Sequence, residues 1–259
     1  MADLIQTFAA NAAGRDFVVG DIHGCFYQLD ALLERIGFER GCDRLFSVGN
    51  LIDRGPDSER AADFIDAPWF HAVRGNHEQM MLDAVAKGGD AEWLWHMNGG
   101  DWFESLDGGQ RERLLERAAA LPYAIEIAVD ANTRAGLVHA QMPAMPWPAL
   151  RHALQGERVD TTLVNTLLWE RDSANAIERR RTGARPGLAV AAAGVDVVFH
   201  GHTPMPRPIA CANTRWLDTG AFMDGPLSIA ELAVDGAVWS LTASSGRLEA
   251  GWQWLADAR

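Results

Sequence analysis

Residues 47–56 read SVGNLIDRGP. The stretch closes an apolar run, Leu45-Phe46-Ser47-Val48, with the length and composition of a buried β-strand. It then opens a polar loop that carries Asn50, Asp53 and Arg54 between two glycines. The same arrangement stands on either side of it. Upstream, Phe17-Val18-Val19 runs into Gly20-Asp21-Ile22-His23-Gly24, and downstream His71-Ala72-Val73 runs into Arg74-Gly75-Asn76-His77-Glu78. A helical pattern follows each loop: Leu29, Leu32, Leu33 and Ile36 within 25–36, then Ser58 to Ile65, then His77 to Val85. This β-α-β-α-β-α order calls for right-handed crossovers and a largely parallel sheet.

Further along, residues 90–121 are helical and Trp-rich (Trp93, Trp95, Trp102), broken by Gly99-Gly100 and Gly108-Gly109. They read as a helical excursion off the sheet, with the tryptophans as core. Strands return at Ile125 to Val129 and Gly136 to His139, with helices near 149–155 and 161–169. Residues 172–193, rich in Ala, Arg and Gly, read as a long surface insert. The run Glu178-Arg179-Arg180-Arg181 with Arg185 reads as a solvated helix face, or as an attractor of phosphorylated ligands. Strands resume at Val195–Phe199, Arg215–Leu217, Ser228–Ala233 and Val238–Thr242, and their turn connections imply antiparallel pairing.

The bulk numbers bound the function. With 259 residues, 48% hydrophobic and 22% charged, the chain is an ordinary globular protein, expected as a single α/β domain over 1–259. A formal net charge of −12 disfavours nucleic acid and anionic membranes as partners. Cys25, Cys42 and Cys211 form no disulfide framework, which fits a reducing cytoplasm. The N-terminal MADLIQTFAANAAGRD has no basic region followed by an apolar run, so no signal peptide is expected. No stretch approaches the roughly 20 apolar residues of a membrane span.

Two later strands also end in polar loops, Val138-His139-Ala140 and His200-Gly201-His202-Thr203-Pro204. Ligands in open α/β sheets bind outside the carboxyl ends of strands, so all five loops can converge. Their donors mix oxygen and nitrogen and lack cysteine. That set suits Mn²⁺ first, with Fe or Zn²⁺ as options, rather than Ca²⁺ or a structural zinc. Two divalent ions about 3.5–4 Å apart would clamp a phosphoryl group and acidify a water between them.

The successive strings GDIHG, GNLIDRG, RGNHE, VHA and GHTP resemble the motifs of the phosphoprotein phosphatase family of metallophosphoesterases. RGNHEQMMLDA and NGGDWF resemble its bacterial and phage branch. The resemblance spans roughly residues 15 to 225 and implies a calcineurin-like sandwich, two mixed β-sheets flanked by helices. It implies that Asp21 and His23 hold one metal, that Asn76, His139 and His202 hold the second, and that position 50 bridges both. Arg54 and Arg171 would bind phosphate oxygens, with Asn76 also touching substrate. His77 would protonate the leaving-group oxygen, oriented by Asp53, whose charge would keep the imidazole protonated. Glu78 reads as loop support rather than a catalytic group. Asp218, in Leu217-Asp218-Thr219-Gly220-Ala221, reads as structural. His71, His96 and His152 read as structural or solvated, and His200 as second to the ligands at most.

Position 50 departs from the family, which has aspartate there. An amide offers one good oxygen and no charge, so one metal is expected to be weakened and turnover to fall by orders of magnitude. Two explanations compete: a substitution introduced to trap ligand or test mechanism, or a natural variant that is slow or binds phosphate without cleaving it. The expected function is dinuclear-metal hydrolysis of phosphoserine or phosphothreonine in protein, with phosphotyrosine as an extension. The alternatives are dinucleoside polyphosphate hydrolysis and a catalytically dead phospho-ligand binding protein.

Overall fold

The structure, a computed structural model, describes residues 3–183 and 191–256. After β1 (Ile5–Phe8), the strands β2 (Asp16–Val19), β3 (Arg44–Ser47) and β4 (Phe70–Ala72) alternate with α1 (Phe26–Arg35), α2 (Ala61–Ile65) and α3 (Asn76–Lys87). The excursion is α4 (Asp90–Met97), a 3₁₀ segment (Asp101–Ser105) and α5 (Gly108–Ala120). Then come β5 (Ala124–Ala128), β6 (Arg134–Val138), α6 (Trp147–Leu154), α7 (Thr161–Trp169) and α8 (Asp172–Arg181). The last part is strand-rich: β7 (Val197–His200), β8 (Ile209–Cys211), β9 (Thr214–Trp216), β10 (Pro226–Glu231), β11 (Val238–Thr242), β12 (Arg247–Ala250) and β13 (Gln253–Leu255).

The strands form two mixed sheets, ordered β1-β5-β6-β7-β9-β8-β13 and β12-β11-β10-β2-β3-β4. β2, β3 and β4 pair in parallel, with Val18 beside Phe46 and Phe46 beside His71, as the crossover helices require. β10, β11 and β12 pair antiparallel, as their short connections predict. In the other sheet the late strands divide: β8 and β9 are antiparallel, while β7 pairs parallel with both β6 and β9.

Side-chain alternation explains the layers. Val18 and Phe46 point inward and meet Ile125, Ile127, Leu137 and Phe199 of the opposite sheet. Their neighbours Phe17, Val19 and Leu45 point outward into Phe26, Leu29, Leu32 and Leu33 of α1. On the far face Val138 and Val198 pack under Trp147, Leu150 and Leu167. Each such large apolar side chain stabilises the fold by about 1.5–3 kcal/mol through burial.

Some expectations are corrected. Within the expected surface insert, residues 172–181 form α8, which is not wholly at the surface but buries Ala174, Ala176 and Ile177 against Met205, Ile209 and Trp216. Its apolar face is mostly alanine, so the arginines dominate its composition. Arg181 pairs with Glu178 at 2.6 Å within that helix, and Arg185 lies outside the described residues. Trp93 is 65% exposed rather than core. The short strands β1, β8, β12 and β13 lack the long apolar runs that mark central strands. Among the described residues, no helix is long and apolar enough to cross a membrane.

Candidate metal centre

The loops after β2, β3 and β4 of one sheet and after β6, β7 and β9 of the other open at the same edge of the sandwich. They bring Asp21, His23, Asn50, Asn76, His139 and His202 together, none more than 5% exposed. Tight turns aim these side chains inward. Of the seven non-glycine residues with positive φ among those described, five lie here: His23 (46°), Asn50 (52°), Asp53 (72°), Arg54 (72°) and His202 (67°). Such backbone is strained for L-residues and persists where surrounding structure enforces it. Glu78 supplies part of the enforcement. Its buried carboxylate accepts from the backbone N–H of Gly75 (2.8 Å), Leu51 (2.7 Å), Asn50 (3.1 Å) and Ile52 (3.4 Å), clamping the loop after β3 to α3. The expected supporting role of Glu78 matches this geometry.

The imidazoles are oriented as metal ligands are. His139 Nδ1 lies 2.7 Å from the Val48 carbonyl and His23 Nδ1 3.0 Å from that of Ile52. Donating there leaves each Nε2 lone pair facing the cluster. His202 Nε2 lies between the Trp169 carbonyl (3.1 Å) and Arg171 Nε (3.2 Å). Nε2 can accept from Arg171 or donate to the carbonyl but not both; the tautomer that donates is the one that turns the Nδ1 lone pair inward. Burial, the largest effect for each, holds all three imidazoles below the usual histidine range, hence neutral and able to ligate. Asn76 Oδ1 stands 2.9 Å from His139 Nε2 and 3.0 Å from His202 Nδ1. In that tautomer three lone pairs meet at these distances, an arrangement that a cation relieves. Among the described residues no trio of His, Cys, Asp or Glu converges on a metal position, because the third donor here is the amide of Asn76.

Position 50 does not fit a bridging ligand. The Asn50 carbonyl oxygen accepts from the His77 backbone N–H at 3.1 Å. Its NH₂ group points into the cluster, 3.0 Å from Asp21 Oδ2, 3.2 Å from Asn76 Oδ1 and 3.4 Å from His23 Nε2. An N–H group offers a cation no lone pair. Turning the amide over would set its NH₂ against the His77 N–H. Without position 50, Asn76, His139 and His202 offer three candidate donors on one side of the cluster, and Asp21 and His23 offer two on the other.

The second group of candidates lies beside the first. Arg54 Nη1 reaches His23 Nε2 (3.3 Å), and its guanidinium stacks over Phe222 at 4.3 Å. Arg171 flanks His202. His77 Nδ1 meets Asp53 Oδ2 at 2.7 Å, with both groups buried. Burial works against the expected protonated imidazole. Burial pushes the Asp53 carboxyl up to about 7, against indole and Arg54 effects that lower it. Burial, with the Arg54 charge, holds His77 well below its usual range. Both shifts oppose a separated ion pair, and the 2.7 Å contact holds the His77 ring by its Nδ1 edge.

Several contributors were missed. Trp95 and Trp102 donate to Asp53. Asp218 is a buried carboxyl, pushed up to about 6 mainly by burial, and its charge ranks second only to burial in raising Asp21. Phe222 packs between Arg54 and His23, 4.7 Å from the latter ring. The NGGDWF string pointed to the tryptophans, but nothing in it names Asp53. His200 is apart from the cluster, stacked on Trp216 at 4.5 Å. His71 packs on Phe8 and Phe46, and His96 faces Asp101 and Glu104. Cys25 is buried, and its thiol is pushed up to about 11 by burial, so it is unreactive.

A two-sheet sandwich whose strand ends gather these donors beside two arginines is the architecture of a metallophosphoesterase. A family model for calcineurin-like phosphoesterases matches residues 17–206, and the chain belongs to that family, whose members use a dinuclear metal centre. It is 38% identical over 233 residues to serine/threonine-protein phosphatase 1 of Salmonella typhimurium, covering 89% of this chain and 97% of that one. It is 33% identical over 215 residues to serine/threonine-protein phosphatase 2 of Escherichia coli, covering 82% and 90%. A symmetrical bis(5'-nucleosyl)-tetraphosphatase of Dechloromonas aromatica is 43% identical over 75 residues, covering 28% of this chain and 27% of that one. A solved structure assigned as a candidate diadenosine tetraphosphatase superposes with a TM-score of 0.62 at 24% identity, covering 98% and 99%.

Proposed function

We propose that this chain is a metal-dependent phosphomonoesterase acting on phosphoserine and phosphothreonine in proteins, slowed by the amide at position 50. The observation that carries the reading is the placement of the His77–Asp53 pair and of Arg54 and Arg171 around one cluster of metal donors. Asp21 and His23 would hold one cation and Asn76, His139 and His202 the other, with Mn²⁺ favoured by the mixed donors. When bound, the cations supply a nucleophilic water and neutralise phosphoryl charge.

The chain's own residues supply the rest. Arg54 and Arg171 hold the phosphoryl oxygens, aided by the N-terminal end of α3, whose first residues are Asn76 and His77. Asn76 faces the same oxygens. His77 Nε2 carries a proton to the departing serine or threonine oxygen, while Asp53 holds the ring by its Nδ1–H and stabilises the charged imidazole. Asn50 contributes neither charge nor an inward lone pair. Asp21 and the nearby Asp218 carry the negative charge that remains.

Identity of 38% and 33% over most of both chains to the Salmonella and Escherichia coli phosphatases favours a phosphoprotein over a dinucleoside polyphosphate, whose hydrolases match at 43% over only 75 residues or at 26% over most of the chain. The inward NH₂ of Asn50 favours the second reading, a phospho-ligand binder without turnover. The test is a panel of phosphoserine, phosphothreonine and phosphotyrosine peptides and diadenosine tetraphosphate, each with Mn²⁺. Preferential release of phosphate from the first two supports the proposal. Preferential cleavage of the dinucleotide overturns it, and tight peptide binding without turnover, even after Asn50→Asp, establishes the binder.

A further inference from the structure

The excursion over 90–121 has no part in the chemistry described so far, yet it touches the proton-carrying pair directly. Asp53 is fully buried, and a buried carboxylate needs donors for its lone pairs. Oδ2 takes His77 Nδ1 (2.7 Å) and Trp95 Nε1 (2.9 Å), and Oδ1 takes Trp102 Nε1 (2.8 Å). Three directional donors fix the plane of the carboxylate. Two of them come from α4 and the 3₁₀ segment.

The odd string between these tryptophans follows from that contact. A Cβ on Gly100 would lie 2.6 Å from the Trp95 ring, so only glycine lets the indole seat there. Gly99 has φ +95°, and a Cβ on it would lie 3.0 Å from the Arg54 backbone nitrogen. The two glycines bring the excursion against the Asp53-Arg54 loop closely enough for both indoles to reach. Phe103 then packs edge-on against Trp95 at 5.3 Å.

We propose that Trp95 and Trp102 are positioning residues for leaving-group protonation. Their N–H groups lock Asp53, and through it His77, in the orientation that delivers the proton. The inference rests on the reading of His77 as the acid. Without the indoles Asp53 can rotate, His77 loses its fixed tautomer, and substrates with a poor leaving group suffer most. A nitrophenolate departs without help from an acid and is spared.

The experiment uses Trp95→Phe, Trp102→Phe and the double variant, which keep a ring and lose the donor. Trp147→Phe is the control: its indole donates to buried Glu126 at 2.6 Å on the opposite face of the sandwich. One readout is the His77 Nδ1–H proton resonance in the Zn²⁺-loaded protein, expected to be sharp and slowly exchanging in the parent and in Trp147→Phe, and broadened or lost in the double variant. The other is the ratio of kcat for a phosphoserine peptide to kcat for p-nitrophenyl phosphate. That ratio should fall about tenfold or more in the double variant, within the range general acids contribute, and stay unchanged in the control. Survival of the resonance in the double variant overturns the inference. So does an unchanged ratio in a background where His77→Asn lowers it. If His77→Asn itself leaves the ratio unchanged, the acid reading fails, and the positioning role falls with it.

Discussion

Replacing Asn50 by aspartate should make the protein more dependent on metal and, once metal is bound, faster. In the present chain the Asn50 NH₂ bonds Asp21 Oδ2 at 3.0 Å and Asn76 Oδ1 at 3.2 Å. A carboxylate oxygen in its place faces the Asp21 oxygen with like charge. At 3.0 Å and an effective dielectric constant of about 20, the repulsion is roughly 5 kcal/mol. Proton uptake by the pair relieves part of it, leaving a net destabilisation of about 3–5 kcal/mol in metal-free protein near neutral pH. For a chain of this length that lowers Tm by about 10 °C. Bound cations reverse the sign, because the new oxygens become ligands, and metal at ~1,000 times its Kd returns about 4 kcal/mol. The assay is thermal unfolding in EDTA and in millimolar Mn²⁺, paired with hydrolysis of p-nitrophenyl phosphate. The parent should show a small Mn²⁺ shift and the variant a large one, with turnover rising by about two orders of magnitude or more, as expected when a second metal completes the site. If the variant is as stable as the parent in EDTA, the inward NH₂ is not holding the cluster. If both proteins have equal rates, the amide suffices as a ligand and the account of position 50 is wrong.

Other outcomes follow from single contacts. Glu78→Ala strands four buried backbone N–H groups and should lower stability by about 3–5 kcal/mol, read from urea unfolding; a loss within the error of the urea fit would refute the clamp. Arg54→Lys keeps the charge but loses the fork and the stack on Phe222, and should weaken inhibition by inorganic phosphate by about tenfold, checked by inhibition kinetics. His71 has its pKa lowered to about 4, mainly by burial and then by the Arg44 charge. Its folded value lies below its unfolded value near 6.5, so the unfolded state binds the proton more readily between them. Its contribution to stability is complete above about pH 6.5 and is lost as pH falls toward 4. His71→Gln should therefore flatten the fall of Tm over that window, and parallel Tm profiles for the two proteins would refute this.

Much of the fold was legible because its signals are local. The apolar runs before Asp21, Asn50 and Asn76 became β2, β3 and β4, and the spacing of Leu29, Leu32 and Leu33 became the buried face of α1. α8 was misread because its buried face is alanine and its exposed face arginine, so composition hid the periodicity. The candidate donors were legible as residue types at strand ends, and the six meet in one buried cluster. The donors around Asp53 were not legible, because Trp95 and Trp102 reach it only through the packing of the excursion.

By itself the sequence determined the order of β2 to β4 and α1 to α3, the residues offered at the candidate strand ends, and the departure at Asn50. These depend on neighbours within a turn of helix or along a strand. Tertiary structure alone decided which face of the Asn50 amide points inward, since the His77 N–H that orients it lies 27 residues away. It also decided that Trp95 and Trp102, 42 and 49 residues from Asp53, donate to that carboxylate rather than merely fill the core. Hydrogen bonds over such separations are set by how the sheets and the excursion pack, and no local pattern of residues encodes them.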